Sequence, residues 1–192
     1  MLSFVVGRPH GQRAGYAAVA PDLFAHGLQP LCIASLVRQM RAGVGPQIDQ
    51  VQLARKWLCG RTGIAQEKVA LIGFCIGGGF ALASGRGWGA VSANYGEVPP
   101  DDVLRGVGPV IGCFGGRDRA FRGKDKLLDE RLTALGVPHE VHLFPEAGHS
   151  FLTDGDHPFL YALSRPMLRI EWNPAVAAQG WEKIFAFFNQ HL

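Results

Sequence analysis

Short apolar runs rich in small and β-branched residues alternate along this chain with stretches whose apolar positions recur every three or four residues. The first pattern is that of a buried strand and the second that of one helix face. Their alternation predicts an α/β fold: an open, mostly parallel sheet covered by helices on both faces. Residues 16–20 form the first clear strand, ended by Pro21-Asp22, and a helical stretch follows around residues 34–41. Between Ile48 and Cys59, the residues Ile48, Val51, Leu53, Ala54, Trp57 and Leu58 mark one helix face, and Gly60 is placed to stop it. Residues 69–73 are apolar throughout, as a strand buried on both sides requires, and lead through a glycine-rich turn into a helix over 77–84. Strands over 90–95 and 109–114 come next, then a helix over 124–135 closed by Gly136, then a less buried strand over 139–144. A last helix from about Ala175 turns Trp181, Ile184, Phe185 and Phe188 to the core, after an irregular segment marked by Pro158, Pro166 and Pro174.

The length of 192 residues fits one domain, expected over residues 1–192 with an atypical segment at 1–14. Hydrophobic residues at 47% and charged residues at 18% exclude a disordered chain. Nineteen basic against sixteen acidic residues leave a net charge of +3, scattered rather than gathered, so no nucleic-acid partner is expected. The longest uncharged run, residues 69–85, is broken by glycines and too short for a membrane span. No basic region precedes the first apolar residues and Arg8 interrupts them early, so no signal peptide is expected and the cytoplasm is the predicted compartment. Cys32, Cys59, Cys75 and Cys113 lie far apart without CxxC spacing or paired histidines, which predicts reduced thiols and no metal site.

Chemistry concentrates at Gly73-Phe74-Cys75-Ile76-Gly77, where the buried strand turns abruptly into a helix. That is the setting of a nucleophile elbow with cysteine at its tip. The flanking glycines are needed because side chains two residues before and after the nucleophile would collide with neighbouring backbone. The competing reading is a buried core thiol beside packing glycines. A thiol there would feel the positive end of the following helix, which favours thiolate. In a strand–turn–helix elbow of this kind the acid and the histidine follow on loops after later strands. Asp118 lies just beyond the strand ending at Phe114, and His149 just beyond the strand ending at Phe144. His10 and His26 precede the nucleophile, His139 and His142 lie within a strand, and Asp125 and Asp129 belong to a helix.

The segments GFCIGGGFAL, GGRD and PEAGHSF, together with GYAAVAPDLF, resemble the dienelactone hydrolase family from about Gly15 to Leu192. The resemblance implies an α/β-hydrolase fold, with Cys75 as nucleophile, His149 as its base and Asp118 orienting His149. It implies cleavage of a small ester or lactone through a thioester acyl-enzyme, with the Ile76 N–H as one oxyanion donor and no cofactor. Two arginines hold the substrate carboxylate in that family, and the matching positions here are His26 and Thr153. A neutral or differently charged ester therefore stands beside dienelactone as the expected substrate. Trp88, Tyr95 and Phe151 either line an apolar pocket or belong to the core.

Family members carry further strands before the segment matching Gly15, so the resemblance implies an N-terminally truncated chain lacking the first strands. The eight residues of 7–14 are too few for a parallel crossover, which takes about a dozen or more. The sheet is accordingly expected to be open at its centre, between the strands at 16–20 and 69–73. That gap, together with the loss of the loop that supplies the second oxyanion donor in the family, would favour the alternative function, a non-catalytic hydrolase-like remnant that binds a ligand or another chain.

Overall fold

Strands β3 (Val69–Phe74), β4 (Ala90–Asn94) and β5 (Val110–Gly115) are buried at every position. Such strands cannot form a sheet with a wet face and must be covered on both sides. The computed structural model describes residues 3–7, 15–23, 29–153 and 172–192. Within them β1 (Ser3–Gly7), β2 (Ala17–Val19) and β6 (His139–Phe144) complete a six-stranded sheet in the order β2-β1-β3-β4-β5-β6. From β3 to β6 all pairings are parallel.

The pleat divides the core into two layers. Val69, Leu71, Val91, Ala93 and Val110 pack with α1 (Gln29–Ala42), α2 (Pro46–Thr62), α3 (Ile76–Ser84), the short α4 (Asp101–Leu104) and α5 (Lys124–Ala134). Ala70, Ile72, Phe74, Ile111 and Cys113 pack on the other side against Ile184, Phe187 and Phe188 of α6 (Pro174–His191). Pro174 occupies the first turn of α6, where a missing N–H costs nothing, and the Asn173 side chain accepts from the N–H groups of Ala175 and Val176. Trp181 and Phe185 are only half-buried; they stack on each other with centroids 5.5 Å apart, and Phe185 stacks on Tyr16.

Three expectations are corrected. The centre of the sheet is filled: β1 lies between β2 and β3 and runs antiparallel to both, pairing Val5 with Val19 and Val5 with Leu71. The connection too short for a parallel crossover is long enough for an antiparallel return. The α2 helix runs past Gly60 to Thr62 and stops at Gly63, whose φ of 72° lets its N–H reach the Cys59 carbonyl at 2.8 Å. Leu53 and Trp57 are exposed, because on a 3.6-residue helix they project away from the stripe of Ile48, Val51, Ala54 and Leu58. Arg55 takes the inward position instead, its guanidinium donating to the Gln66 and Gly87 carbonyls and lying 4.7 Å from the Trp88 ring.

Candidate active site

Cys75 alone makes the turn between β3 and α3, with φ 57° and ψ −123°. A residue with a Cβ pays about 1–3 kcal/mol for such a conformation, so the surroundings must impose it. Asn94, at the end of β4, does so from two sides. Its carbonyl accepts from the Cys75 N–H at 3.0 Å, and its side-chain Nδ2 donates to the Gly73 carbonyl at 3.0 Å. The Ser92 hydroxyl, 3.0 Å from that Nδ2, fixes the amide. On the helical side Gly78 N–H donates to the Cys75 carbonyl at 2.9 Å. Glycine at 73 is a steric requirement: a Cβ there would lie 1.9 Å from the Gly77 carbonyl oxygen.

Asp118 and His149 reach the same end of the sheet from the loops that follow β5 and β6. Backbone bonds lock the two loops together, Gly116 N–H to Phe144 O at 2.8 Å and Arg117 N–H to Ala147 O at 2.9 Å. Gly115 allows this approach, since a Cβ there would sit 2.4 Å from the Gly148 carbonyl oxygen. His149 Nδ1 and Asp118 Oδ2 are 2.6 Å apart, with both side chains almost wholly buried. The second carboxylate oxygen accepts from Ala120 N–H at 3.0 Å and more loosely from Phe121 N–H. Aromatic rings hold the imidazole: Phe121 stacks on it at 5.2 Å and Tyr95 meets it edge-on at 5.0 Å.

These surroundings set the charges. Burial pushes the Cys75 thiol up, but interaction with the His149 side chain and the Ile76 N–H pulls it below the usual thiol value. Burial likewise disfavours the His149 imidazolium, yet bonding to Asp118 and to Cys75 outweighs it and raises the histidine to about 9. Nε2 of His149 has no partner at full hydrogen-bond geometry, so its interaction with the thiol is loose in this resting arrangement. Cys113 provides the contrast: burial outweighs the opposing pull of Lys183 and pushes its thiol up to about 12. A thiol drawn toward ionisation beside a histidine that favours its charged form, at a strained, helix-leading turn and backed by a buried carboxylate, is suited to nucleophilic attack on a carbonyl.

The remaining expected site residues are distributed differently. Ile76 opens α3, and its N–H favours the ionised form of the Cys75 thiol. Tyr95 and Phe151 are wholly buried, with centroids 5.7 Å apart; Tyr95 supports His149 from beneath, and both belong to the core rather than to an open pocket wall. Trp88 precedes β4 and so lies at the opposite end of that strand from Asn94 and the elbow, buried in the core under Arg55. Parallel strands place the residue before a strand and the residue after it at opposite edges of the sheet. Thr153 closes a turn, its N–H and hydroxyl both donating to the Ser150 carbonyl. His26 lies outside the described residues. Asn94 and Phe121 were not anticipated; an asparagine ending a buried strand two residues after Ser92 is the one available sign of the first, and nothing in the sequence marks the second. Among the described residues no group of three His, Cys, Asp or Glu side chains could hold a metal ion.

The sheet order, the cysteine at a strand-to-helix turn and the acid and histidine on successive later loops define an α/β-hydrolase fold. The profile of the dienelactone hydrolase family matches residues 11–192, and the chain belongs to that family. It is 27% identical to a putative carboxymethylenebutenolidase of Yersinia pestis over 93% of this chain and 69% of that protein. It is 26% identical to a carboxymethylenebutenolidase of Rhodococcus opacus over 93% of this chain and 71% of that protein. Among solved structures, m3DLH superposes with a TM-score of 0.69 at 21% identity, covering 92% of this chain and 74% of that one. A dienelactone hydrolase-like promiscuous phosphotriesterase from metagenomic libraries gives a TM-score of 0.69 at 22% identity with the same coverages. No helix among the described residues is long and apolar enough to cross a membrane.

Proposed function

We propose that this chain hydrolyses small esters or lactones through a thioester on Cys75. The observation that carries the reading is the buried His149–Asp118 pair at 2.6 Å, set beside a thiol that the strained elbow presents at the head of α3. The alternative of a non-catalytic remnant rested on an unpaired central edge and on the loss of a second oxyanion donor; β1 occupies the position of the first.

The chain's own groups supply each step. The Cys75 thiolate attacks the carbonyl carbon, and the resulting oxyanion is stabilised by the Ile76 N–H, which no longer bonds to a charged sulfur once the C–S bond forms. Collapse breaks the bond to the leaving oxygen, which takes the proton from the His149 imidazolium and departs as an alcohol. His149 is then neutral and accepts a proton from water as that water attacks the thioester. The second collapse releases the carboxylic acid and regenerates thiolate and imidazolium. Asp118 keeps the Nδ1 proton on the inner face of the ring and stabilises the charged form, so Nε2 remains the atom that exchanges protons. The relatives' names, carboxymethylenebutenolidase, support a lactone among the substrates. With His26 and Thr153 in place of guanidinium groups, we assign a neutral ester as the better-fitting class.

The test is hydrolysis of p-nitrophenyl acetate by the wild-type chain and by Cys75→Ala. Loss of at least about 10⁴-fold in kcat/KM is expected. Equal rates for the two proteins would overturn the reading.

A further inference from the structure

The sheet ends in β2 on one side and β6 on the other, and the two edges differ. β2 spans only Ala17–Val19, and a very short edge strand is one way in which proteins avoid pairing with another chain. β6 keeps an unbroken parallel register with β5 from His139 to Phe144, with no bulge, proline or lysine to blunt its outer side. Among the described residues no strand lies beyond it.

The hydrogen bonds to β5 fix which backbone groups of β6 point outward. Val110 N–H donates to the Pro138 carbonyl, and Gly116 N–H to the Phe144 carbonyl. Bonding alternates along a strand, so Glu140, His142 and Phe144 turn their N–H and C=O groups to β5, whereas His139, Val141 and Leu143 turn theirs away from the sheet. A second β6 running antiparallel uses all three only when the pairing is centred on Val141, so that Val141 meets Val141 and His139 meets Leu143. Such a contact is the same on both sides of a two-fold axis.

The side chains on both faces suit that register. Glu140 comes opposite His142 of the second copy at a position without mutual hydrogen bonds, where side chains approach most closely. In one chain His142 Nε2 and Glu140 Oε2 already lie 2.9 Å apart, so the axis joins two such pairs into a ring in which acid and imidazole alternate. On the other face His139 Nε2 lies 3.2 Å from Asp129 of α5, and Lys126 of α5 shares a hollow with Leu143. Because His139 meets Leu143 of the second copy, the Asp129 end of one α5 comes against the Lys126 end of the other. Leu143, 48% exposed in the single chain, is covered.

We propose that two copies of this chain associate through β6, across a two-fold axis at Val141, into one continuous sheet. The His149 loops, which follow β6, then lie at opposite edges of the joined sheet.

Light scattering on the full chain, after size-exclusion chromatography at about 100 μM, should give twice the chain mass, with Kd of about 10 μM or tighter. His142→Glu sets a carboxylate against Glu140 of the second copy and should weaken the dimer at least about tenfold; adding Glu140→Lys restores opposite charges and should recover it. Neither side chain is buried, so thermal melts of both variants, taken at a concentration where the wild type is monomeric, should match it. Hydrogen exchange of the wild type, resolved by residue, needs no variant: the amides of His139, Val141 and Leu143 should exchange more slowly at about 100 μM than at about 1 μM. The proposal is overturned by a monomeric wild type at the higher concentration, by a His142→Glu protein that dimerises undiminished, by a double variant that stays monomeric, or by exchange at those amides that ignores concentration.

Discussion

Replacing Gly73 by alanine adds a single methyl group at the most crowded backbone position next to the nucleophile. The new Cβ would stand 1.9 Å from the Gly77 carbonyl oxygen and 2.9 Å from the Ala81 Cβ, where real Cβ contacts essentially never fall below 3.0 Å. The partner at 1.9 Å is backbone and cannot rotate away, so β3 and the first turn of α3 must separate by about 1 Å or more. Those two elements carry Cys75 and the Ile76 N–H. A misplacement of about 1 Å at reacting groups costs on the order of 10²-fold in rate, and overpacking of this kind costs about 1–3 kcal/mol in stability. The assay is kcat/KM on p-nitrophenyl acetate together with a urea unfolding curve. Gly60→Ala is the matched control: a Cβ at 60 meets nothing within 4 Å, and glycine in a helix interior is itself unfavourable. That variant should be more stable by about 0.5–1 kcal/mol and equally active. A folded Gly73→Ala protein with wild-type kcat/KM would refute the steric account of the elbow.

Asp118→Asn keeps the size of a side chain whose Oδ1 receives two backbone N–H groups, so the amide nitrogen is directed to His149 Nδ1. It should favour the wrong tautomer and lower kcat by about 10²–10⁴-fold with little change in KM, as steady-state kinetics would show; an unchanged kcat would remove Asp118 from the mechanism. The pH dependence follows from the two shifts. Cys75 is depressed, so thiolate is present below the usual thiol range, and His149 is raised, so the imidazolium persists until about pH 9. Because the pair titrates together, activity should rise with pH as Cys75 ionises, hold a plateau, and fall as His149 loses its proton near pH 9. Iodoacetamide should accordingly alkylate Cys75 well below pH 9, and a single alkylation step at the ordinary thiol value would contradict the ion pair.

The parallel half of the sheet was legible because continuous burial leaves a plain mark: the strands read at 69–73, 90–95 and 109–114 lie within a residue of Val69–Phe74, Ala90–Asn94 and Val110–Gly115. The order of Cys75, Asp118 and His149 along the chain was enough to bring them to one end of the sheet, since loops after parallel strands all emerge on the same edge. What could not be read is equally specific. The placement of β1 between β2 and β3 depends on pairing partners far away in the chain, and no local pattern states them. For Trp88 the choice between pocket wall and core stayed open until the strand direction placed it at the opposite end of β4 from the elbow. The two-sided grip of Asn94 on the elbow arises from a strand neighbour, and Phe121 reaches the imidazole through a turn whose shape is set by the Asp118 carboxylate.

The claim on which the account depends is a covalent acyl group on Cys75. Intact-protein mass spectrometry after rapid mixing with p-nitrophenyl acetate and acid quench, followed by peptide mapping, reads it directly. The account predicts a transient addition of one acetyl group, confined to the peptide containing Cys75, that disappears as substrate is exhausted and is absent in Cys75→Ala. Turnover without any acetylated cysteine, or acetylation at Cys32, Cys59 or Cys113 that tracks turnover, would contradict it.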